Sequence, residues 1–239
     1  MRSIGFYCNY LRPRNVTRKI ESYMKIRNAA KQVESYMKQK DIPYCLHLGC
    51  GRNLLSGWLN TDIEESIKGK VVCWDATKKY PLADNSIDYI FLEHMFEHLS
   101  LKDAVCLLSE SKRVLKEGGV IRITLPDMQF LLDLYSFPEK YKTYLKWEIE
   151  HFLPEVEELF PGEYPEVFVI NNFYRDWGHQ VIYDYKTLEM LLRKCGYKNL
   201  TRCEVGKSEH AVLRNIEGHD TNTYPGLTKL ESMIVEATV

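Results

Sequence analysis

Short apolar runs broken by tight turns dominate the chain from residue 42 to residue 127. PYCLHLG (43–49) is an apolar run closing in Gly-Cys-Gly, which predicts a buried strand entering a sharp turn. WLNTDIE (58–64), KVVCWDA (70–76) and IDYIFLEH (87–94) predict three more strands, the last preceded by the turn residues Ala83-Asp84-Asn85-Ser86. From Leu101 to Glu117 the apolar residues Val105, Leu108, Val114 and Leu115 recur at helical spacing, and Gly118-Gly119 follows as a stop signal. VIRITLP (120–126) predicts a fifth strand. Strand, connection and strand in repetition predict a parallel sheet with helices on its faces. Further on, Tyr185–Cys195 is an amphipathic helical pattern closed by Gly196. KNLTRCEV (198–205) and ESMIVEATV (231–239) predict two last strands, joined by a long polar loop, as expected for an antiparallel pair added to a sheet edge.

Two stretches depart from this rhythm. Residues 1–40 hold ten Lys/Arg against two Glu, a local excess of eight positive charges, and ESYMK occurs twice, at 21–25 and 34–38. Free of Gly and Pro from Asn15 to Asp41, this segment (1–41) predicts a basic helix or helix pair that caps the domain, with an arm for a partner or a membrane surface as the alternative. The second stretch, 128–178, predicts an insertion in the domain spanning 42–239. Between Phe137 and Gly178 it carries 11 aromatic residues and nine acids against four bases, a net charge of −5. Helical spacing at Tyr141–Phe152 gives way there to a loop punctuated by Pro154, Pro161 and Pro165. The insertion is either a lid or a small helical subdomain with its own core.

The chain has 239 residues, 45% hydrophobic and 27% charged, which excludes a disordered or fibrous protein. A net charge of −1 offers no global field for nucleic acid or membrane. Seven scattered cysteines without a C-x-x-C pair read as reduced thiols. No apolar run is long enough to span a membrane, and the N-terminus lacks the apolar stretch of a signal peptide, so a cytoplasmic protein is expected.

The turn after the first strand, Gly49-Cys50-Gly51-Arg52-Asn53, carries candidate chemistry, because glycines there let backbone N–H groups approach a ligand that a Cβ would hold off. Asp62, at the tip of the second strand, suits a ribose diol. Asp75, ending the third, suits an adenine amino group. A dinucleotide fingerprint would need glycine where Leu54 stands, and no Lys-Ser/Thr pair makes a phosphate loop. Asn53 tolerates the left-handed backbone that a further glycine would adopt. The arrangement fits ribose and adenine without a diphosphate.

HLGCGRN (47–53), Asp62, Asp75-Ala76 with Pro81-Leu82, Asp84, Ser86 and Asp88, EHMFEHL (93–99) and RVLKEGGVIRITLPD (113–127) together resemble the class I S-adenosylmethionine-dependent methyltransferases. GHQVIYDYKTLEMLLRKCGYKNL (178–200) extends the resemblance. It implies a Rossmann-like α/β fold, a mostly parallel seven-stranded sheet with an antiparallel last strand, and S-adenosyl-L-methionine as cofactor. By the same resemblance Gly49, Cys50 and Gly51 line the methionine and ribose, and Asp62, with Ile63 beside it, holds the ribose hydroxyls. Asp75 and Ala76 face the adenine, while Leu92, Glu93 and His94 flank the sulfonium. His47 and Asn53 complete the expected cofactor set, although the family usually has an acid where His47 stands. Asp62 follows Gly49 by 13 residues, against ~20 in the usual nucleotide-binding unit, so the first helix is expected to shrink to about one turn. A similar LGCG…GWLN-x-D pattern marks a subgroup of bacterial methyltransferases often associated with surface polysaccharides or sugars.

Methyl transfer from a sulfonium needs alignment first and a general base second. His179, in RDWGHQ, is the candidate base, with Asp176 and Tyr183 to orient or replace it. His94 and His98 fall where the fourth strand turns into helix, with a structural role as the alternative. The aromatic residues Tyr141, Tyr144, Trp147, Phe173, Tyr174 and Trp177 are candidates to stack on an acceptor, and the loop around Asn215, Glu217 and His219 is a further candidate to face the site. No Asp-Asp-Asn constellation of a metal-dependent O-methyltransferase is present, so no metal is expected. The expected acceptor is a small hydroxylated or amino compound, a sugar among the candidates, and the acidic insertion argues against nucleic acid. A methyltransferase-like scaffold without turnover is the competing class.

Overall fold

Alternation along the strands sorts the sheet into two unlike faces. The structure, a computed structural model, describes residues 28–39, 42–64, 66–219, 224 and 226–239; the first ESYMK copy lies outside them. The strands are β1 (Cys45–Leu48), β2 (Leu59–Asp62), β3 (Val72–Cys73), β4 (Ile87–Glu93), β5 (Leu115–Pro126), β6 (Lys198–Cys203) and β7 (Ser232–Thr238). They form one sheet in the order β3-β2-β1-β4-β5-β7-β6. Pairing is parallel from β3 to β5, and β7 runs antiparallel to both β5 and β6. The seven-stranded, mostly parallel sheet with an antiparallel last strand is the one the sequence predicts.

On one face Leu46, Leu48, Ile90, Leu92, Ile121, Ile123 and Val235 meet helices α1 (residues 28–36 as described), α2 (Leu101–Val114) and α7 (Tyr185–Lys194). Ala29, Val33 and Tyr36 are buried against this core, so α1 packs into the domain. The other face carries a row in register across five strands: Asn60, His47, Phe91, Arg122 and Glu236. A loop covers this face where a helix usually would, its Leu213 and Ile216 packing on Phe91 and Val120. Arg122, fully buried, holds the loop: Nε donates to Glu217 Oε1 at 2.7 Å, and Nη1 donates to Glu236 Oε1 at 2.5 Å and to the Lys207 carbonyl at 3.0 Å.

Three local expectations are revised. The ten residues 49–58 between β1 and β2 contain turns and no helical turn. A parallel crossover that short has no room for a helix, and Asn60 organises it instead. Its side chain accepts from Leu55 N at 3.0 Å and donates to the Leu55 and Trp58 carbonyls at 2.9 and 3.2 Å. The third strand contracts from 70–76 to Val72–Cys73. Helix α2 ends at Val114 rather than Glu117, because Leu115 already pairs with Ile87 as the start of β5, which runs through Gly118-Gly119.

The insertion folds as α3 (Met128–Ser136), α4 (Lys142–Phe152), α5 (Pro154–Leu159) and α6 (Glu166–Arg175). These helices share a core built from Phe130, Leu134, Tyr144, Ile149, Val169 and Phe173. A short helix, α8 (Leu227–Glu231), joins the insertion to β7. Among the described residues no helix is long and apolar enough to cross a membrane.

Removing Arg122 strands two carboxylates in the interior, so Arg122→Ala is expected to cost about 3–5 kcal/mol of unfolding free energy. Urea denaturation followed by circular dichroism measures it, and a loss below about 1 kcal/mol, the ceiling typical of a surface pair, would show that the buried ions do not anchor the loop.

Candidate active site

The C-terminal ends of β1, β2, β4 and β5 converge on one cleft, the position at which open parallel sheets take ligands. After β1 the chain turns through Gly49 and Gly51, both left-handed at φ +65° and +50°. A Cβ on Gly49 would lie 2.4 Å from Met95 Cγ, so the turn and the start of the helix after β4 are in contact, whereas Gly51 opens onto free space. Gly51 N donates to Asp62 Oδ2 at 2.8 Å and Glu64 N to Asp62 Oδ1 at 3.2 Å. Each carboxylate oxygen keeps a lone pair for a hydroxyl. Cys50 is buried, and burial pushes its thiol up to about 12, which leaves it protonated and unreactive.

A trough of about 480 Å³ runs from this turn along Asp62 and Ile63 to Trp74, Asp75 and Ala76. Asp75 Oδ1 accepts from Thr77 N and Oγ1 at 2.8 and 2.6 Å. Burial raises its pKa, but those bonds and Lys78 outweigh it, and the carboxyl stays below its ordinary value. Trp74 Nε1 is buried with no hydrogen-bond partner on this wall. An unpaired donor, an open glycine and two carboxylates at strand tips are what an adenosine would engage, so the residues fit that group.

A second cavity, of about 590 Å³, shares Gly49, Gly51, His94 and His98 with the trough and continues under the insertion. Glu93 does not stand free at its mouth. Its carboxylate accepts from Gly218 N at 3.0 Å, His219 N at 3.2 Å and Asn53 Nδ2 at 3.3 Å, tying the loop over the second sheet face to the glycine turn. Burial raises the Glu93 pKa against the pull of these donors. His94, left-handed at φ 47°, stacks on His219 with ring centroids 3.9 Å apart and pairs with Ser232 Oγ at 2.9 Å.

Deeper in this cavity stands an imidazole–carboxylate cluster. Glu97 is fully buried, and neither of its carboxylate oxygens has a hydrogen bond. Its Oε1 faces His94 Nδ1 at 3.4 Å and His98 Nε2 at 3.9 Å. Burial raises the Glu97 pKa, but the facing His94 and His98 more than cancel it, so Glu97 is ionised. Burial opposes a charge on His94, yet Glu97, Glu231 and Glu93 raise its pKa overall. His179 contacts His98 edge to face at 4.8 Å, and its Nδ1 meets the Phe173 carbonyl at 2.7 Å. That contact places the proton on Nδ1 and the lone pair on Nε2, and burial lowers the His179 pKa. On the opposite wall burial and the Glu231 charge push Glu148 up to about 8, and Tyr144 donates to Glu231 Oε2 at 3.0 Å.

The structure gathers Gly49, Cys50, Gly51, Asn53, Glu93, His94 and His179 around this larger cavity, and Asp62, Ile63, Asp75 and Ala76 around the trough. His47 borders the cavity but packs between Trp58 and Phe91, with Nδ1 3.2 Å from Asn60 Oδ1. Burial drives its pKa down to about 4, leaving a neutral ring in place of the usual acid. Leu92 points into the main core. Asp176 is exposed at the end of α6, and Tyr183 is buried against Phe96, so neither meets His179 in the cavity. Of the insertion aromatics Trp147, Phe173 and Trp177 line the cavity, whereas Tyr141 and Tyr144 are buried in the insertion core and Tyr174 bonds Met128 from an exposed position. Of the loop candidates His219 reaches the site, Glu217 pairs with Arg122 and Asn215 is exposed. Sequence reasoning missed Glu97, Glu148, Phe152 and Glu231, and only EHMFEHL, with its two Glu-His pairs, gave any signal for Glu97.

Residues 46–123 match a family model described as a methyltransferase domain. The fold is similar to a SAM-dependent methyltransferase from Archaeoglobus fulgidus, at 18% identity and a TM-score of 0.50 over 91% of this chain and 94% of that one. A SAM-dependent methyltransferase from Thermotoga maritima, described as a possible histamine N-methyltransferase, matches at 14% identity and a TM-score of 0.46 over 94% and 96% of the two chains. Phosphoethanolamine N-methyltransferase 2 from Haemonchus contortus, in complex with S-adenosyl-L-methionine, matches at 14% identity and a TM-score of 0.42 over 89% of this chain and 52% of its own. No curated protein sequence matches the chain. Residues 46–123 thus match a methyltransferase-domain family, and the seven-stranded sheet around them has the fold of the class I S-adenosylmethionine-dependent methyltransferases.

Proposed function

We propose that the protein methylates a hydroxyl or amino group of a small acceptor, sugar-like in class, bound beneath the insertion. The observation that carries this reading is the junction of the two cavities at Gly49, Gly51, His94 and His98. A cofactor along the trough would meet an acceptor from the second cavity at that junction. S-adenosylmethionine supplies a methyl group on a sulfonium, which passes to the nucleophile while sulfur keeps the bonding electron pair and the nucleophile loses its proton.

The chain's own residues supply position. Asp62 accepts from the ribose hydroxyls, Asp75 accepts from the adenine amino group, and Ala76 leaves room for the ring beside Trp74. Trp147, Phe152, Phe173 and Trp177 form apolar walls on which a sugar face stacks, and Glu148 and Glu231 accept from its hydroxyl or amino groups. His179 presents the Nε2 lone pair to the nucleophile's hydrogen. Helices α4 and α6 roof the cavity, which favours a small acceptor, and the charge of −5 over residues 137–178 repels a phosphate backbone.

Asp62→Ala is expected to weaken S-adenosylhomocysteine about 10–100-fold, the loss of hydrogen bonds to a charged group. Calorimetric titration reads it, and unchanged affinity would remove Asp62 from the ribose site. Acceptors are sought by mass spectrometry with methyl-labelled cofactor across sugar nucleotides, amino sugars and simple amines; binding of the homocysteine product without any transfer would overturn the enzymatic reading. With an acceptor in hand, His179→Ala should keep cofactor affinity and lose turnover by about 10²–10⁴-fold. Wild-type turnover in that variant would exclude His179 from the chemistry.

A further inference from the structure

We propose that Glu97, His98 and His179 bind a divalent first-row transition ion at the inner wall of the larger cavity. This deepens the proposed function, since the ion's role rests on the cavity's being the acceptor site, although its binding does not. One donor atom from each of the three residues lies within 4.8 Å of the other two. Bonds of ~2.0–2.2 Å set donors roughly 3–4 Å apart around one ion, and rotation of the half-buried His98 side chain covers the difference.

The second observation is Glu97 itself. A carboxylate taken fully out of water is retained only when it is paired or binds a metal; neither Glu97 oxygen has a hydrogen bond, and Oε1 faces imidazole nitrogens at 3.4 and 3.9 Å, beyond hydrogen-bonding geometry. His179 is prepared in the manner of a metal ligand: Nδ1 is fixed by the Phe173 carbonyl, which orients the ring and leaves Nε2 as the free donor. Two imidazoles and one carboxylate suit zinc, iron or cobalt rather than magnesium or calcium, and three protein ligands leave positions open towards the cavity. An acceptor oxygen bound there gives up its proton more readily, and the proton leaves to solvent. Loading the ion passes activation of the nucleophile from the His179 lone pair to the metal, so His179 is the base in the ion-free protein and a ligand in the loaded one.

The test uses the full chain, free of any affinity tag and stripped with chelator, titrated with zinc by calorimetry and with cobalt by visible absorption, without cofactor or acceptor. One equivalent of cobalt per chain is expected, with the d–d bands of a site containing imidazole nitrogen. His98→Ala and His179→Ala are each expected to weaken binding by about 100-fold, the upper end of what even an outer-shell ligand partner contributes. Both replace partly exposed side chains, so the fold is kept where Glu97→Ala would risk it. His219→Ala, which alters the neighbouring His94–His219–Glu231 group, is expected to leave the affinity unchanged. Absence of stoichiometric uptake, or uptake lost only in His219→Ala, overturns the site. S-adenosylhomocysteine titrations are run separately, so a failure of the methyltransferase reading and a failure of the metal site are read independently.

Discussion

Arg122 sits fully buried in strand β5, between a glutamate on β7 and a glutamate from the loop 204–219. A guanidinium in that position is tolerable only with both partners present and its N–H groups engaged. Its contacts therefore hold the loop to a sheet face that has no helix of its own. From Glu217 the chain needs one residue to reach Gly218 and two to reach His219, whose N–H groups bind Glu93 at the tip of β4. The stacked pair His94–His219 follows from that placement. An ion cluster inside the sheet thus positions one wall of the larger cavity.

The same face explains the short crossover. Without a first helix, the chain from β1 to β2 must satisfy its backbone in turns, and Asn60 does so from within β2 while bonding His47 in the adjacent strand. His47 and Asn60 are therefore a coupled replacement. A buried carboxylate at position 47 would face the Asn60 carbonyl oxygen, acceptor against acceptor, whereas a neutral imidazole donates to it.

Most of the sheet was legible in the chain, because strands buried on both faces read as apolar runs and their turns as Gly, Asn and Asp. The glycine turn, Asp62 and Asp75 were legible for a related reason: each sits at the end of a strand whose end the sequence marks. The acceptor side was not. Glu97, Glu148 and Glu231 are far apart in the sequence, and each lies in a pattern that ordinarily means an exposed acid; only folding of the insertion and of α8 against β7 buries them together. Tyr183 and Asp176 show the converse. Their nearness to His179 in sequence suggested that they orient or replace it, but Tyr183 follows the chain back into the core and Asp176 ends a helix facing solvent.

The two halves of the site are accordingly built under different constraints. The cofactor half consists of backbone turns and short acids at strand ends, held by local hydrogen bonds of about 2.6–3.2 Å, and tolerates change only within the sheet's geometry. In the larger cavity, buried carboxylates, imidazoles and aromatic rings come from six separate places: the β4–α2 junction, α4, α6, the segment after α6, the loop before α8, and α8 itself. Burying that many ionisable groups costs stability, and the cost is offset only because each carboxylate has a counter-charge, a hydroxyl donor or a raised pKa. Such an assembly is retained where a polar ligand completes it. The acidic, aromatic insertion therefore lines the larger cavity as well as forming a helical subdomain with a core of its own.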